Sequence, residues 1–267
     1  MNTEIFIVTH AKDFPWLVYC LRSIDKFARG FSAVSVVVPD EDVPSLRQLI
    51  ADIGGTSGIP VFWQHGTQWP GKGHLWHLCQ KMHADTWCPT ADFICHLDAD
   101  CVFTAPVTPG TFIQNGKPIL QFERFATLIP RCAGVEKWKV AAERALPFPC
   151  PFETMRGHPE TYIRRTYLLT RQLVEEKTGL AFDDYLQSFD DHTNVCEFVT
   201  LGNVAMKIQP EMYCLVDNAL KPNPDKSNFP VGQFWSFSPP DQPQDTWWDG
   251  TIQRFVPLDK LKQLGLV

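Results

Sequence analysis

Two aspartates one residue apart, Asp98 and Asp100, follow the apolar run Asp92-Phe-Ile-Cys-His-Leu97. An apolar strand that runs out into Asp-Ala-Asp at the rim of a sheet can turn both carboxylates toward one hard cation. A nucleotide-activated sugar needs such an ion. When its sugar–phosphate bond breaks, negative charge gathers on the leaving diphosphate, and Mn²⁺ or Mg²⁺ neutralises it as a Lewis acid. The same tripeptide also serves as a plain strand end or turn cap, so its setting decides its meaning.

Other residues carry chemistry or a structural duty. Glu197 sits between Cys196 and Phe198, where burial raises a carboxylate's pKa and suits it to take a proton from an acceptor hydroxyl. Pairing with a core arginine is its structural alternative, and in a retaining reaction it would only position a sugar hydroxyl. Arg156 and His158 precede an expected helix start, a place where backbone amides help to bind an anion, although His-Pro is also an ordinary helix-entry turn. Lys81 either neutralises phosphate or lays its stem along the helix with its head in water. His74 and His77, three apart and without a third ligand at the usual spacing, do not specify zinc. Trp235, Trp247 and Trp248 suit stacking on a sugar or base, or anchoring of a late segment. Gly66-Thr-Gln-Trp-Pro-Gly-Lys72-Gly73 nearly satisfies a phosphate loop, which gives a nucleotide kinase or NTPase using Lys72 as the rival reading. It lacks the final hydroxyl and would follow a third strand rather than a first.

Glu4–Thr9, Ala33–Val38, Ile59–Gln64 and Asp92–Asp98 read as short, buried strands. Between them, Trp16–Phe27, Val43–Ile53 (capped by Asp42) and Leu75–Ala84 have helical periodicity. Alternating β and α units predict a parallel, doubly wound sheet whose ligands bind at the carboxyl ends of the strands. Further on, Ile119–Phe122 reads as a strand and Lys137–Ala145 as a short helix. Tyr162–Lys177 reads as a longer helix with Leu168, Leu169, Leu173 and Val174 inward, and Pro222–Pro230 as a long loop or lid.

This arrangement resembles the GT-A superfamily of glycosyltransferases, in particular its small bacterial and phage-type members, whose Asp-x-Asp ends a similar strand. The likeness lies in His96–Phe103, in Gly73-His-Leu-Trp-His-Leu-Cys-Gln-Lys81-Met-His-Ala-Asp85, and in the acceptor-side segments Phe152–Pro159 and Cys196–Gly202. Trp76 and Lys81 fit the family pattern, whereas His74 and His77 depart from it. The resemblance implies an α/β, Rossmann-like, mostly parallel central sheet flanked by helices, with an irregular C-terminal acceptor-side region. A single GT-A-like domain would comprise a donor half, residues 1–116, and an acceptor half, residues 117–267.

It further implies a hexosyltransferase-like enzyme with a nucleotide-sugar donor, a UDP-sugar foremost, and Mn²⁺ or Mg²⁺ held by Asp98 and Asp100, with Asp217 as third ligand. Asp100 and Glu197 would be catalytic. Thr9, His10, Asp40, Lys81 and Asp98 would meet the donor, and Arg156, His158 and Glu197 the acceptor. That acceptor is a glycan or surface precursor, or a hydroxymethylated pyrimidine in DNA, which would be approached through a groove or flipped. A catalytically silent nucleotide-sugar-binding module is the remaining alternative.

Composition bounds these readings. A chain of 267 residues with 44% hydrophobic content buries a substantial core. It contains no run of about 18 apolar residues that could cross a bilayer. Nine cysteines without a Cys-x-x-Cys pair read as reduced thiols in a cytoplasm. A net charge of -6 argues against indiscriminate affinity for polyanions. From Lys117 to Lys177, however, 11 Lys/Arg face 7 Asp/Glu.

Overall fold

The computed structural model describes residues 1–54, 58–220, 229–233 and 258–267. The first half alternates strands and helices: β1 (Thr3–Val8), α1 (Phe14–Phe27), β2 (Ala33–Pro39), α2 (Val43–Asp52), β3 (Val61–Gly66), α3 (Gly73–Met82), α4 (Ala84–Trp87) and β4 (Phe93–His96). Next come β5 (Cys101–Phe103), α5 (Pro109–Phe112), β6 (Ile113–Gln114), β7 (Lys117–Arg124), α6 (Phe125–Leu128), α7 (Glu136–Ala145), β8 (Phe152–Glu153) and β9 (Glu160–Ile163). The chain continues through α8 (Arg164–Thr178), α9 (Phe182–Gln187), α10 (Glu197–Ile208), β10 (Cys214–Asp217), β11 (Val231–Gln233) and α11 (Leu258–Gln263).

β1, β2 and β4 are buried throughout, as strands covered on both faces must be. They form a mixed α/β architecture with a mostly parallel central sheet in the order β3-β2-β1-β4-β9, with helices packed on its faces. β3, β2, β1 and β4 run parallel, and β9 alone is antiparallel, against β4. Side-chain alternation sorts the core. Ile5, Ile7, Val34 and Val36 pack with Leu17 and Leu21 of α1, while Phe6, Val8, Val37 and Ile94 pack with Trp76 of α3. After β1 the chain builds β2 and β3 to one side and then returns to place β4 on the other, so strand order switches between β1 and β4. The loops leaving those two strands therefore diverge and open a crevice.

In a second, smaller sheet β7 pairs in parallel with β10 and antiparallel with β6 and β8, and β11 lies antiparallel to β5. Three local expectations need correction. Asp42 does not cap α2: its carboxylate accepts the Ala11 N–H at 2.8 Å, tying the exits of β1 and β2 together. The long helix begins at Arg164 because Tyr162 is taken into β9 opposite Ile94. Its buried face is Thr166, Tyr167, Thr170 and Val174, with Leu169 and Leu173 packed part-buried beside it as expected, and only Leu168 of the expected inward residues is exposed, at 48%. The hydroxyls on that face are bonded internally, Thr166 to Gln209 and Tyr213 and Thr170 to the Thr166 carbonyl. Residues 221–228 of the expected loop lie outside the described residues.

All nine cysteines are free and eight are buried. Burial lifts the Cys95 and Cys150 thiols to about 12. Among the described residues no helix is long and apolar enough to cross a membrane.

Candidate functional site

Asp98 leaves the sheet two residues after β4, where the Leu97 N–H still bonds to Phe6 and the Cys101 N–H closes a turn onto the Asp98 carbonyl. Both aspartates of the motif line one cavity of about 500 Å³. The antiparallel direction of β9 completes its wall. Glu160 pairs with His96, so the segment entering β9 is delivered to the carboxyl end of β4, and Arg156, His158 and Glu160 arrive beside Asp98. Lys81 comes from α3, Glu197 from the first residue of α10 and Gln233 from β11.

These side chains form a charge chain across the cavity. Glu197 Oε1 lies 3.2 Å from Lys81 Nζ, which lies 2.8 Å from Asp98 Oδ1. Asp98 Oδ2 lies 3.0 Å from His158 Nε2. His158 Nδ1 lies 2.7 Å from Glu160 Oε2, a charge contact without hydrogen-bond alignment. Burial opposes the charges of Lys81, His158 and Asp98, and their partners outweigh it. Asp98 and Glu197 hold the Lys81 ammonium above its usual range. Glu160 and Asp98 hold the His158 imidazole well above its own, and Lys81 and His158 hold the Asp98 carboxyl well below. Lys81 is only 6% exposed and packs over Phe198, so its head is not in bulk water. Glu197 answers to a lysine, where pairing with an arginine had been the structural expectation.

Asp100 is 8% exposed and accepts a hydrogen bond from Gln233 Nε2 at 3.2 Å. The Arg156 guanidinium is spent on buried Glu153 and Glu123, at 3.2 and 3.4 Å. Arg156 and His158 enter a strand rather than a helix, so no helix N-terminus assists them. Four carboxylates (Asp98, Asp100, Glu160 and Glu197) thus face two cationic groups, Lys81 and His158. Two further cations, Lys137 and Arg156, also line the cavity, and the carboxylate oxygens are donors of the kind a hard divalent ion prefers. By donor type the residues fit one such ion.

Three histidines complete the wall near the start of α3. His74 stacks on His192, with ring centroids 4.0 Å apart and planes 10° from parallel. Burial, with help from His192 and Lys81, lowers His74 to about 4, and burial lowers His77 further below its usual range. His74 and His77 present neutral rings at neutral pH. Nothing in the sequence marked His192, Glu160 or Gln233. Each reaches the cavity through a contact distant in sequence.

Several expected residues are placed elsewhere. Thr9 is buried, with its N–H on the Val37 carbonyl. His10 lies 5.7 Å from the His77 ring but does not line the cavity, and Asp40 is exposed and bonded to His65 and Thr67. Asp217 ends β10 in the smaller sheet, where its carboxylate accepts the Ala219 N–H, and the structure does not bring it to the cavity. Lys72 directs its ammonium to the carbonyls of Gln187 and Phe189, at 2.5 and 2.9 Å, so it is not held over a phosphate loop. Trp235, Trp247 and Trp248 lie outside the described residues.

No protein-family model matches the sequence, and no curated protein matches it. Among solved structures, the chain is similar to mouse xyloside xylosyltransferase 1 in its apo form, at 11% identity over 81% of this chain and 85% of that chain, with a TM-score of 0.41. A likeness this distant decides nothing about activity, and the geometry above has to carry the functional reading.

Proposed function

We propose that this chain is a glycosyltransferase that takes a sugar from a nucleotide-sugar donor, a UDP-sugar foremost, and passes it to an acceptor hydroxyl within the Asp98–Asp100 cavity. One observation carries the reading. Two aspartates at the carboxyl end of β4, where strand order switches, share one cavity with a buried lysine and a buried glutamate.

In this reading Asp98 and Asp100 would hold Mn²⁺ or Mg²⁺, and the ion would supply Lewis-acid neutralisation of the diphosphate. Lys81 and His158 fix the Asp98 carboxylate from both sides and so keep the turn after β4 in one shape. Glu197 accepts the proton of the acceptor hydroxyl as its oxygen bonds to the anomeric carbon. The electron pair of the broken bond leaves with the diphosphate. His158 and Arg156 border the acceptor side, and a glycan, a surface precursor or a hydroxymethylated pyrimidine in DNA would each present the hydroxyl this chemistry requires.

A thermal-shift screen of nucleotide sugars with and without Mn²⁺ tests this, since a ligand of the native state raises its melting temperature. A UDP-sugar should raise Tm in Mn²⁺. Asp98→Asn and Asp100→Asn should abolish that response and metal-dependent donor hydrolysis while keeping a native far-UV spectrum. If no nucleotide sugar shifts the wild type, or both variants respond as it does, the reading fails.

A further inference from the structure

At the other end of α3 from the histidine wall, Cys79, His83 and Asp183 each offer a ligand atom, and these atoms lie within 4.8 Å of one another. Cys79 and His83 stand four residues apart, so they share one side of the helix end. Asp183 arrives from the first turn of α9. Its Oδ1 lies 2.7 Å from His83 Nε2 and 3.6 Å from Cys79 Sγ, and so stands between the other two.

A His–Asp pair alone would need no sulfur. Cys79, 1% exposed, packs at the edge of an apolar cluster and also donates to a carboxylate, a partner that a purely structural thiol does not need. Thiolate sulfur, imidazole nitrogen and carboxylate oxygen together form the ligand set of zinc, and one thiolate with one carboxylate cancels the charge of one Zn²⁺. The sulfur is buried, but the His83 and Asp183 side chains are 23% and 53% exposed, so an ion has a route in from solvent and room for a water as fourth ligand. The surrounding frame is rigid. Arg171 of α8 grips Asp85 with two bonds of 2.6 and 2.8 Å and also bonds the Met82 carbonyl.

We propose that Cys79, His83 and Asp183 bind one zinc ion, with water in the fourth position, and so clamp α3 to α9. Lys81 lies between two of the ligands, and the clamp would fix the helix end that delivers it to Asp98. The site is separate from the cavity and stands whether or not the transferase reading does. Zinc binds sulfur as thiolate, so loading releases the Cys79 proton.

Cobalt titration of the chelator-treated protein tests the assignment. Wild type should bind one equivalent of Co²⁺ that shows a sulfur-to-cobalt charge-transfer band and the visible spectrum of tetrahedral cobalt, distinct from any cobalt held by oxygen at Asp98 and Asp100, and zinc should displace it and raise Tm. Cys79→Ser should lose the charge-transfer band. His83→Ala and Asp183→Asn should weaken binding more than about tenfold, as loss even of outer-shell partners can. Cys214→Ser, outside the cluster, should bind as wild type does. Far-UV spectra of the metal-free variants check that each is folded, and His83→Ala, altering a partly exposed residue, keeps the test open should Cys79→Ser not fold. Absence of a saturable cobalt spectrum in wild type, or an unchanged band in Cys79→Ser, overturns the proposal.

Discussion

Replacing Lys81 by methionine isolates the interaction on which the cavity depends. Its ammonium lies 2.8 Å from Asp98 and 3.2 Å from Glu197, both partners are largely shielded from water, and Lys81 itself is 6% exposed. At an effective dielectric of about 20, those separations correspond to gross attractions of about 6 and about 5 kcal/mol. Much of this is offset by the cost of burying the ammonium. Removing it leaves two largely buried carboxylates without that partner, and such breaks cost about 3–5 kcal/mol.

The sign of the pH dependence is fixed by Asp98. In the wild type its carboxyl is held below its usual range, so the stability it contributes is present above the unfolded carboxyl range and is lost as pH falls through the folded value. Without Lys81, burial loses its main opponent and the folded carboxyl titrates higher, so the variant gains on the wild type as pH falls. Urea unfolding followed by far-UV circular dichroism should show a deficit of about 4 kcal/mol at neutral pH that narrows as pH falls into the carboxyl range, with m unchanged. A deficit below about 1 kcal/mol, or one that widens in acid, would refute the charge chain described here.

Two further substitutions probe the fold and the rival chemistry. Gly202 of α10 packs on Thr154 so closely that an added Cβ would lie 2.1 Å from the Thr154 hydroxyl oxygen and 2.5 Å from its Cβ, and that hydroxyl is already committed to the Phe198 carbonyl. Gly202→Ala should therefore lower stability by about 3 kcal/mol in urea despite alanine's better helix propensity; an unchanged midpoint would mean that the helix shifts without cost. Lys72→Ala should cost a little stability, since it removes bonds to two carbonyls, and leave any nucleotide-sugar thermal shift intact. Loss of nucleotide binding in that variant alone would restore the phosphate-loop reading.

The sequence by itself determined the alternating β/α order of the first hundred residues and the place of Asp98 and Asp100 at the end of the fourth strand. Those features are local. An apolar run covered on both faces and an amphipathic stripe are each written within a dozen residues. The tertiary structure alone decided which charges meet. Lys81, His158 and Glu197 lie 17, 60 and 99 residues from Asp98 in sequence, and only the antiparallel docking of β9 on β4 and the start of α10 beside α3 bring them together. The same distance effect moved Asp217 into a different sheet and gave α8 a hydroxylic inner face that a count of leucines does not reveal. Periodicity reports which side of an element is buried. It carries no information on the element buried against it, and in this protein the contact between elements places the charges.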